Sequence, residues 1–188
     1  MNKSIFLDRD GTINKDKAYL SKIEEFEYLP GVIEGLRMLQ EAGYLLVIIT
    51  NQSGIARGYY SEEDFIELNN WMMDDLKSKG INIARVYYCP HHPNGKIEKY
   101  KIDCECRKPR LGMYEEAIKE FNIDVEQSYT IGDKIRDSAL CEKYDCHGYL
   151  ISDLEKTSIV DDVKRGKYRN ISYAVDLFSV AKEIVGGK

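Results

Sequence analysis

The sequence predicts an open α/β fold, in which helices cover both faces of a mostly parallel sheet. Short apolar segments rich in β-branched and aromatic residues alternate with amphipathic segments of helical period. The length of 188 residues suits one domain. No long insertion follows the first or second apolar segment. We therefore expect residues 1–188 to form a single three-layer, Rossmann-like domain with no separate cap domain.

Composition and charge exclude several function classes. The formal net charge of -5 argues against general affinity for nucleic acid, which requires a basic surface. No stretch approaches the ~20 apolar residues of a membrane-spanning helix, so we expect no membrane role. The apolar run that starts at Ser4 stops at Asp8, too short for a secretory signal, and a cytosolic location is expected.

Buried strands are predicted where short segments are apolar and rich in β-branched or aromatic residues. These segments are residues 4–7, 44–50, 83–88, 128–131 and 147–151.

Helices are predicted between and after these strands from apolar residues at helical spacing. The first ends before Gly43 and the second before Gly80, because glycine commonly follows a helix. The second also begins with Ser61 and has Asp64 three residues later, which resembles a capping box. The predicted helices cover residues 31–42, 61–79, 111–121, 135–143 and 173–185.

Polar side chains follow the predicted strands directly. Asp8 and Asp10 come after the first strand, Thr50 and Asn51 at the end of the second, Cys89 after the third and Asp133 after the fourth. Ligands of open parallel sheets bind beyond the carboxyl ends of the strands. We therefore expect these side chains to meet at one edge of the sheet.

Asp8 and Asp10 have two readings. Asp10-Gly11 is a common turn pair, and Asp8 alone could be a cap or turn residue. Alternatively, the two carboxylates serve phosphoryl transfer, which needs a nucleophile, a group that donates and accepts a proton, a divalent ion and donors around the phosphoryl group. The chain offers a candidate for each role.

Four segments in order resemble the motifs of the haloacid dehalogenase superfamily of phosphatases. They are Asp8-Arg9-Asp10-Gly11-Thr12, Thr50-Asn51-Gln52-Ser53-Gly54, Lys108 and Gly132-Asp133-Lys134. The resemblance implies that Asp8 is the nucleophile and Asp10 the general acid/base. It also implies Mg²⁺ bound by Asp8, Asp133 and the backbone carbonyl of Asp10.

The same resemblance implies that Thr50 hydrogen-bonds the phosphoryl oxygens and that Lys108 offsets their charge. Lys134, beside the metal ligand, is a candidate for substrate contact. Asp137 either supports the metal shell or lies near a helix N-terminus, where a carboxylate is stabilised in any case.

Cysteine and histidine residues cluster at about residues 89–106. Their spacing fits a tetrahedral zinc site with Cys89, His91, Cys104 and Cys106 as ligands, although His92 could replace His91. Four protein ligands would make this zinc structural. The alternative is that the cysteines are small buried hydrophobes and the histidines surface residues. Cys141 and Cys146 lie outside the cluster and are interpreted as packing residues.

A more specific resemblance covers about residues 5–137. Residues 50–59, the Cys-x-His and Cys-x-Cys pairs and Arg107-Lys108-Pro109 are similar to the heptose bisphosphate phosphatases and the related histidinol-phosphate phosphatases. Twelve residues separate His91 from Cys104, a long spacing that favours the heptose branch. The resemblance implies cleavage of the 7-phosphate of D-glycero-D-manno-heptose 1,7-bisphosphate, in the biosynthesis of nucleotide-activated heptose for surface polysaccharide.

The substrate contacts that this resemblance implies are a flap and a pocket. The flap comprises Asp16, Lys17, Ala18 and Tyr19, and the phosphate and sugar pocket comprises Asn51, Gln52 and Ser53. Arg107 would bind the second phosphate, for which its planar fork is suited, or would face solvent.

Three rival functions stay open at this point. The partner is expected to be a small phosphorylated sugar, but histidinol phosphate or another phosphate monoester is an alternative. A polynucleotide 3′-phosphatase is a second alternative, because it shares the Asp-x-Asp-Gly-Thr motif. The negative net charge of the chain argues against a nucleic-acid substrate. A zinc-stabilised binding module without turnover is the non-enzymatic alternative.

Overall fold

The computed structural model describes residues 1–152 and 157–187, and the strands of these residues form one parallel sheet. In chain order they are β1 (Ser4–Leu7), β2 (Leu45–Asn51), β3 (Ile83–Cys89), β4 (Tyr129–Gly132), β5 (His147–Ile151) and β6 (Ile171–Ala174). Their order across the sheet is β3-β2-β1-β4-β5-β6. All five neighbouring pairs are parallel. The predicted open α/β fold is confirmed.

Helices connect the strands. They are α1 (Val32–Glu41), α2 (Ser53–Arg57), α3 (Glu62–Ser78), α4 (Gly112–Phe121), α5 (Leu140–Lys143), α6 (Ser158–Lys164) and α7 (Leu177–Gly186). Turns of 3₁₀ helix lie at Ile23–Glu25, Glu98–Tyr100 and Ile135–Ser138. At the start of α3 the predicted capping box is present, because Asp64 N donates to Ser61 Oγ and Ser61 N donates to the Asp64 carboxylate.

Alternation along β1 divides the core into two layers. Ile5 and Leu7 lie on one face of the sheet, in a buried cluster with apolar residues of α1, α3 and α7. Phe6 lies on the other face and meets the ring of Tyr114 from α4 edge-on, with centroids 5.4 Å apart. Successive residues of a strand point to opposite faces, so both faces of this sheet are covered by helices.

Two predicted helices are wrong in part. Residues 173 and 174 belong to β6, and the last helix begins at Leu177. This strand has only four residues and buries only its end positions, so it shows no apolar run. Residues 135–143 contain a 3₁₀ turn and the short helix α5 where one helix is predicted. The short helices α2 and α6 have no predicted counterpart.

The parallel arrangement places the ends of β1, β2, β3 and β4 at one edge of the sheet. Asp8, Asn51, Cys89 and Asp133 lie at or just after these ends. None of the helices in the described ranges combines the length and the apolar character needed to cross a bilayer.

Candidate active site

Asp8 and Lys108 form the buried centre of the site. Asp8 follows β1, where its backbone N–H donates to Ile131 O of β4 at 2.9 Å and holds Asp8 beside the end of that strand. The Nζ of Lys108 donates to Asp8 Oδ1 at 2.8 Å and to Ile49 O at 2.6 Å. It also lies 2.7 Å from Asp137 Oδ1. One ammonium group therefore meets three acceptors.

The pKa values in this centre reflect burial and crowding of carboxylates. Burial raises the pKa of Asp8, the neighbouring Asp137 and Asp133 raise it further, and Lys108 opposes them. Burial alone would lower the pKa of Lys108, but Asp137 and Asp8 outweigh it and the pKa is raised. The lysine thus stays charged, and a further cation near Asp8 would favour its carboxylate form.

Asp10 is held by three donors. Its carboxylate accepts hydrogen bonds from Arg9 Nη2, Asn14 Nδ2 and Gln52 Nε2, each at 2.9 Å. Burial would raise its pKa, but the charge of Arg9 and the hydrogen bonds from Asn14 and Gln52 outweigh this and lower it. The free protein therefore presents Asp10 as an oriented carboxylate.

Asp133 supplies a carboxylate with a free oxygen. Its Oδ2 accepts from Lys134 Nζ at 2.6 Å, whereas its buried Oδ1 has no hydrogen-bond partner among the described residues. Gly11 adopts φ +83°, and a Cβ there would lie 2.6 Å from Asp133 Oδ2. Only glycine allows this close approach of the β1 turn to Asp133.

Three carboxylates could share a metal ion here. Oxygens of Asp8, Asp133 and Asp137 lie within 4.8 Å of one another. Asp137 is already engaged, because one oxygen faces Lys108 and the other accepts from Lys134 N at 3.0 Å. The unpartnered oxygen of Asp133 beside Asp8 fits a hard cation such as Mg²⁺, which prefers oxygen ligands.

A cavity of about 300 Å³ opens above these groups. Most of the residues expected to contact substrate line it, together with Asp8, Asp10 and Thr50: they are Asp16, Ala18, Tyr19, Asn51, Gln52, Ser53 and Lys134. Two expected contacts are not among the residues that line the cavity. Lys17 Nζ lies 3.6 Å from Glu27, and Arg107 Nη1 donates to His91 O at 3.3 Å.

The side-chain amides of Asn51 and Gln52 form hydrogen bonds to other residues of the protein. Asn51 Nδ2 donates to Lys108 O at 3.1 Å, and Asn51 Oδ1 accepts from Lys108 N at 3.0 Å. Gln52 Nε2 donates to Thr50 Oγ1 at 2.9 Å as well as to Asp10, and Gln52 Oε1 accepts from Tyr60 OH at 2.6 Å. Both amides therefore position catalytic candidates around the cavity.

The sequence reasoning missed four residues that line the cavity, Leu20, Gly54, Tyr60 and Arg136. Arg136 is exposed and, within residues 1–152 and 157–187, has no carboxylate partner. Burial and the charges of Arg136 and Arg57 lower the pKa of Arg107, so these cations lie near one another. For Arg136, the available signal in the sequence was its position three residues after Asp133.

The Cys/His cluster lies beside this cationic region. Cys89 Sγ is 3.5 Å from Cys104 Sγ, which is 3.0 Å from Cys106 Sγ. Cys106 Sγ is in turn 3.3 Å from His91 Nδ1, and one ligand atom from each of the four residues falls within 4.8 Å of the others. His92 points elsewhere, with Nε2 at 3.1 Å from Arg57 Nη2. These four ligand atoms could hold a metal ion, and thiolate and imidazole groups are the ligands of structural zinc.

Comparisons with known proteins agree with this geometry. A family model described as polynucleotide kinase 3 phosphatase matches residues 3–161. The chain is 54% identical over 137 residues to D-glycero-beta-D-manno-heptose-1,7-bisphosphate 7-phosphatase of Haemophilus influenzae, covering 73% of this chain and 74% of that protein. It is 50% identical over 135 residues to the 7-phosphatase of Photorhabdus laumondii subsp. laumondii named for the alpha anomer, covering 72% and 74%.

A solved structure extends the likeness over nearly the whole chain. The crystal structure of D,D-heptose 1,7-bisphosphate phosphatase from B. bronchiseptica, complexed with magnesium and phosphate, matches with a TM-score of 0.82 and 28% identity. The match covers 99% of both chains. The chain therefore belongs to the heptose-1,7-bisphosphate 7-phosphatase family, within the haloacid dehalogenase superfamily that its motifs resemble.

Proposed function

We propose that this protein hydrolyses the 7-phosphate of D-glycero-D-manno-heptose 1,7-bisphosphate and so serves the biosynthesis of nucleotide-activated heptose. The observation that carries the proposal is 54% identity to a relative named for this activity. The cavity above Asp8 and Asp10, about 300 Å³ in volume, supports it, because it offers an open polar site to a phosphorylated sugar. We place the reaction in the cytosol.

In the proposed mechanism Asp8 attacks the phosphorus in line and forms an aspartyl phosphate. Asp10 donates a proton to the departing sugar oxygen and then removes one from the water that cleaves the intermediate. The lowered pKa of Asp10 suits the second step. In the first step the negative phosphate beside Asp10 favours its protonated form by like-charge repulsion.

Thr50 and Lys108 support these steps. Thr50 lines the cavity, and its hydroxyl would hydrogen-bond the phosphoryl oxygens. Lys108 holds the Asp8 carboxylate in one orientation and balances the charge that develops on the phosphoryl group. Its ion pair with Asp137 and its hydrogen bond to Ile49 O fix the ammonium group before substrate binds.

Magnesium is proposed as the catalytic cofactor. Asp8 and Asp133 would hold it through carboxylate oxygens and Asp10 through its backbone carbonyl. The unpartnered Oδ1 of Asp133 and the raised pKa of Asp8 support a cation at this position. Bound Mg²⁺ would supply charge neutralisation for the nucleophile and the phosphoryl oxygens. The relative from B. bronchiseptica is described with magnesium and phosphate.

The second phosphate of the substrate is proposed to meet Arg107 and Arg136. Arg136 lines the cavity without a carboxylate partner in the described ranges, and Arg107 lies close enough for the two charges to interact. Two neighbouring cations favour an anion. Lys134 and the flap residues Asp16 to Tyr19 would contact the sugar, with Lys17 assigned by resemblance alone.

Structural zinc is proposed at Cys89, His91, Cys104 and Cys106. The four residues would close a tetrahedral shell, which leaves no position for substrate or water. The segment ends at Arg107 and Lys108, so ordering it would also fix these two cations. Arg107 is tied to the loop directly by its bond to His91 O.

A phosphate-release assay with purified protein and Mg²⁺ tests the proposal. The substrates are both anomers of the heptose bisphosphate, histidinol phosphate and a 3′-phosphorylated oligonucleotide, which the family model description suggests as a comparison. We expect kcat/KM to be highest for a heptose bisphosphate. A higher value for histidinol phosphate or the oligonucleotide would overturn the substrate assignment, and no release from any of them would support a non-catalytic binding module.

A further inference from the structure

Cys141 and Cys146 form a close pair of thiols outside the proposed zinc cluster. Their Sγ atoms lie 2.8 Å apart. A disulfide bond is about 2.05 Å long, so the sulfurs need to approach by less than about 1 Å to form one. Cys141 belongs to α5 and Cys146 directly precedes β5, and both residues are buried.

The surroundings of this pair do not resemble a metal site. Among the described residues, neither thiol falls in a group of three or more metal-ligating side chains. Thr130 Oγ1 on β4 lies 3.5 Å from Cys141 Sγ. Thr130 Oγ1 donates to Ser138 Oγ at 2.9 Å and is thereby held in place. The two sulfurs therefore have each other as their closest reactive partner.

One of the two cysteines borders a cavity. Cys141 lines a cavity of about 480 Å³ between residues 141–145 and residues 167–171. The hydrogen bond from Cys146 lowers the pKa of Cys141, whereas that bond and burial raise the pKa of Cys146. A thiolate is the attacking species in thiol–disulfide exchange, so the position of Cys141 at this cavity and its lowered pKa favour it over Cys146 as the first thiol to react.

We propose that Cys141 and Cys146 form a reversible disulfide when the protein meets a low-molecular-weight disulfide such as oxidised glutathione. The Cys141 thiolate attacks one sulfur of the oxidant and releases one small thiolate. Cys146 then attacks Cys141 Sγ in the mixed disulfide and releases the second. Overall, two protein thiols lose two protons and two electrons, and the small disulfide takes them up as two thiols.

The test uses the intact chain in a series of oxidised-to-reduced glutathione ratios. Each sample is quenched in acid, its free thiols are blocked with N-ethylmaleimide in denaturant, and the protein is digested with trypsin. Lys143 lies between the two cysteines, so trypsin separates them unless a disulfide joins their peptides. Mass spectrometry then counts linked and blocked peptides directly.

We expect the linked peptide to increase at least tenfold along the series and to disappear after treatment with dithiothreitol. In Cys146→Ser we expect the reaction to stop at a glutathione adduct on Cys141. Two results would overturn the proposal: N-ethylmaleimide on both cysteines in most molecules at the highest ratio, or a stable glutathione adduct on Cys141 of the unmodified sequence without the 141–146 link.

Discussion

The ammonium group of Lys108 lies 2.8 Å from Asp8 Oδ1 and 2.7 Å from Asp137 Oδ1. This one buried cation joins the carboxylate that follows β1 to a carboxylate beyond the end of β4. The proposed nucleophile therefore has a fixed orientation before substrate binds. Preorganised charge of this kind stabilises a transition state without a cost of reorganisation during the reaction.

Replacement of Lys108 tests that arrangement. In Lys108→Met we expect phosphate release to fall about 10²- to 10³-fold, the loss seen when one preorganised donor is removed. The unpaired carboxylates should also lower the free energy of unfolding, by about 3 to 5 kcal/mol. Lys143→Met is the control, because this exposed lysine pairs with Glu115 at 2.7 Å and lies outside the active-site cavity. Full turnover in folded Lys108→Met would remove Lys108 from the mechanism.

Substitution of Gly11 tests the proposed magnesium site. In Gly11→Ala the new Cβ would lie 2.6 Å from Asp133 Oδ2, so Asp133 must move. We expect the Mg²⁺ concentration for half-maximal activity to rise about 10- to 100-fold, as when support of a metal ligand is lost. Gly80→Ala is a matched control, with φ +79° and nothing within 4 Å of the added carbon. Identical Mg²⁺ curves for both variants would contradict the assignment of Asp133.

Removal of one cysteine tests the proposed zinc. In Cys104→Ser we expect zinc content, measured by plasma mass spectrometry, to fall from about one ion per chain, because three ligands rarely hold structural zinc. The melting temperature should fall with it, since metal binding stabilises only the folded chain. Cys141→Ser should keep its zinc. Unchanged zinc content and melting temperature in Cys104→Ser would disprove a structural zinc here.

Replacement of Arg136 tests the second-phosphate contact. In Arg136→Gln we expect kcat/KM for the heptose bisphosphate to fall about tenfold, near the lower range for a hydrogen bond to a charged group. The value for heptose 7-phosphate, which lacks the second phosphate, should stay unchanged. Arg169→Gln serves as the control, because that exposed side chain lies near Asp145, at 3.9 Å, and outside the active-site cavity. Equal losses on both substrates would contradict a contact with the second phosphate.

The features that could be predicted from the sequence are those that depend on local residue pattern and on the order of the strands. The β1 to β5 strands carry apolar runs, so the sheet edge that gathers Asp8 and Asp133 followed from their ends. The strand β6 was missed because Ile171–Ala174 is short and gains its order from pairing with β5. Arg136 was missed, although it lies three residues after Asp133, because sequence position alone does not show which way its side chain points.

Contacts between particular atoms of residues far apart in the chain could not be predicted from the sequence either. Lys108 could be named by its motif, but its bond to Asp137 depends on how the segments after β3 and β4 fold together. Likewise, spacing could not decide between His91 and His92. The structure turns His91 to the three cysteines and His92 to Arg57, because the loop conformation sets where each ring points.

Phosphate release by Asp8→Asn is the most direct test of the central claim that Asp8 attacks the phosphate. The substitution keeps the size of the side chain and removes its nucleophilic oxygen. In this variant we expect phosphate release from the heptose bisphosphate to fall at least about 10³-fold, with the circular dichroism spectrum preserved. Asp103→Asn is the control and should retain full activity, because Asp103 is exposed and pairs with Arg110. Release by folded Asp8→Asn within a few-fold of the unmodified protein would contradict the covalent mechanism.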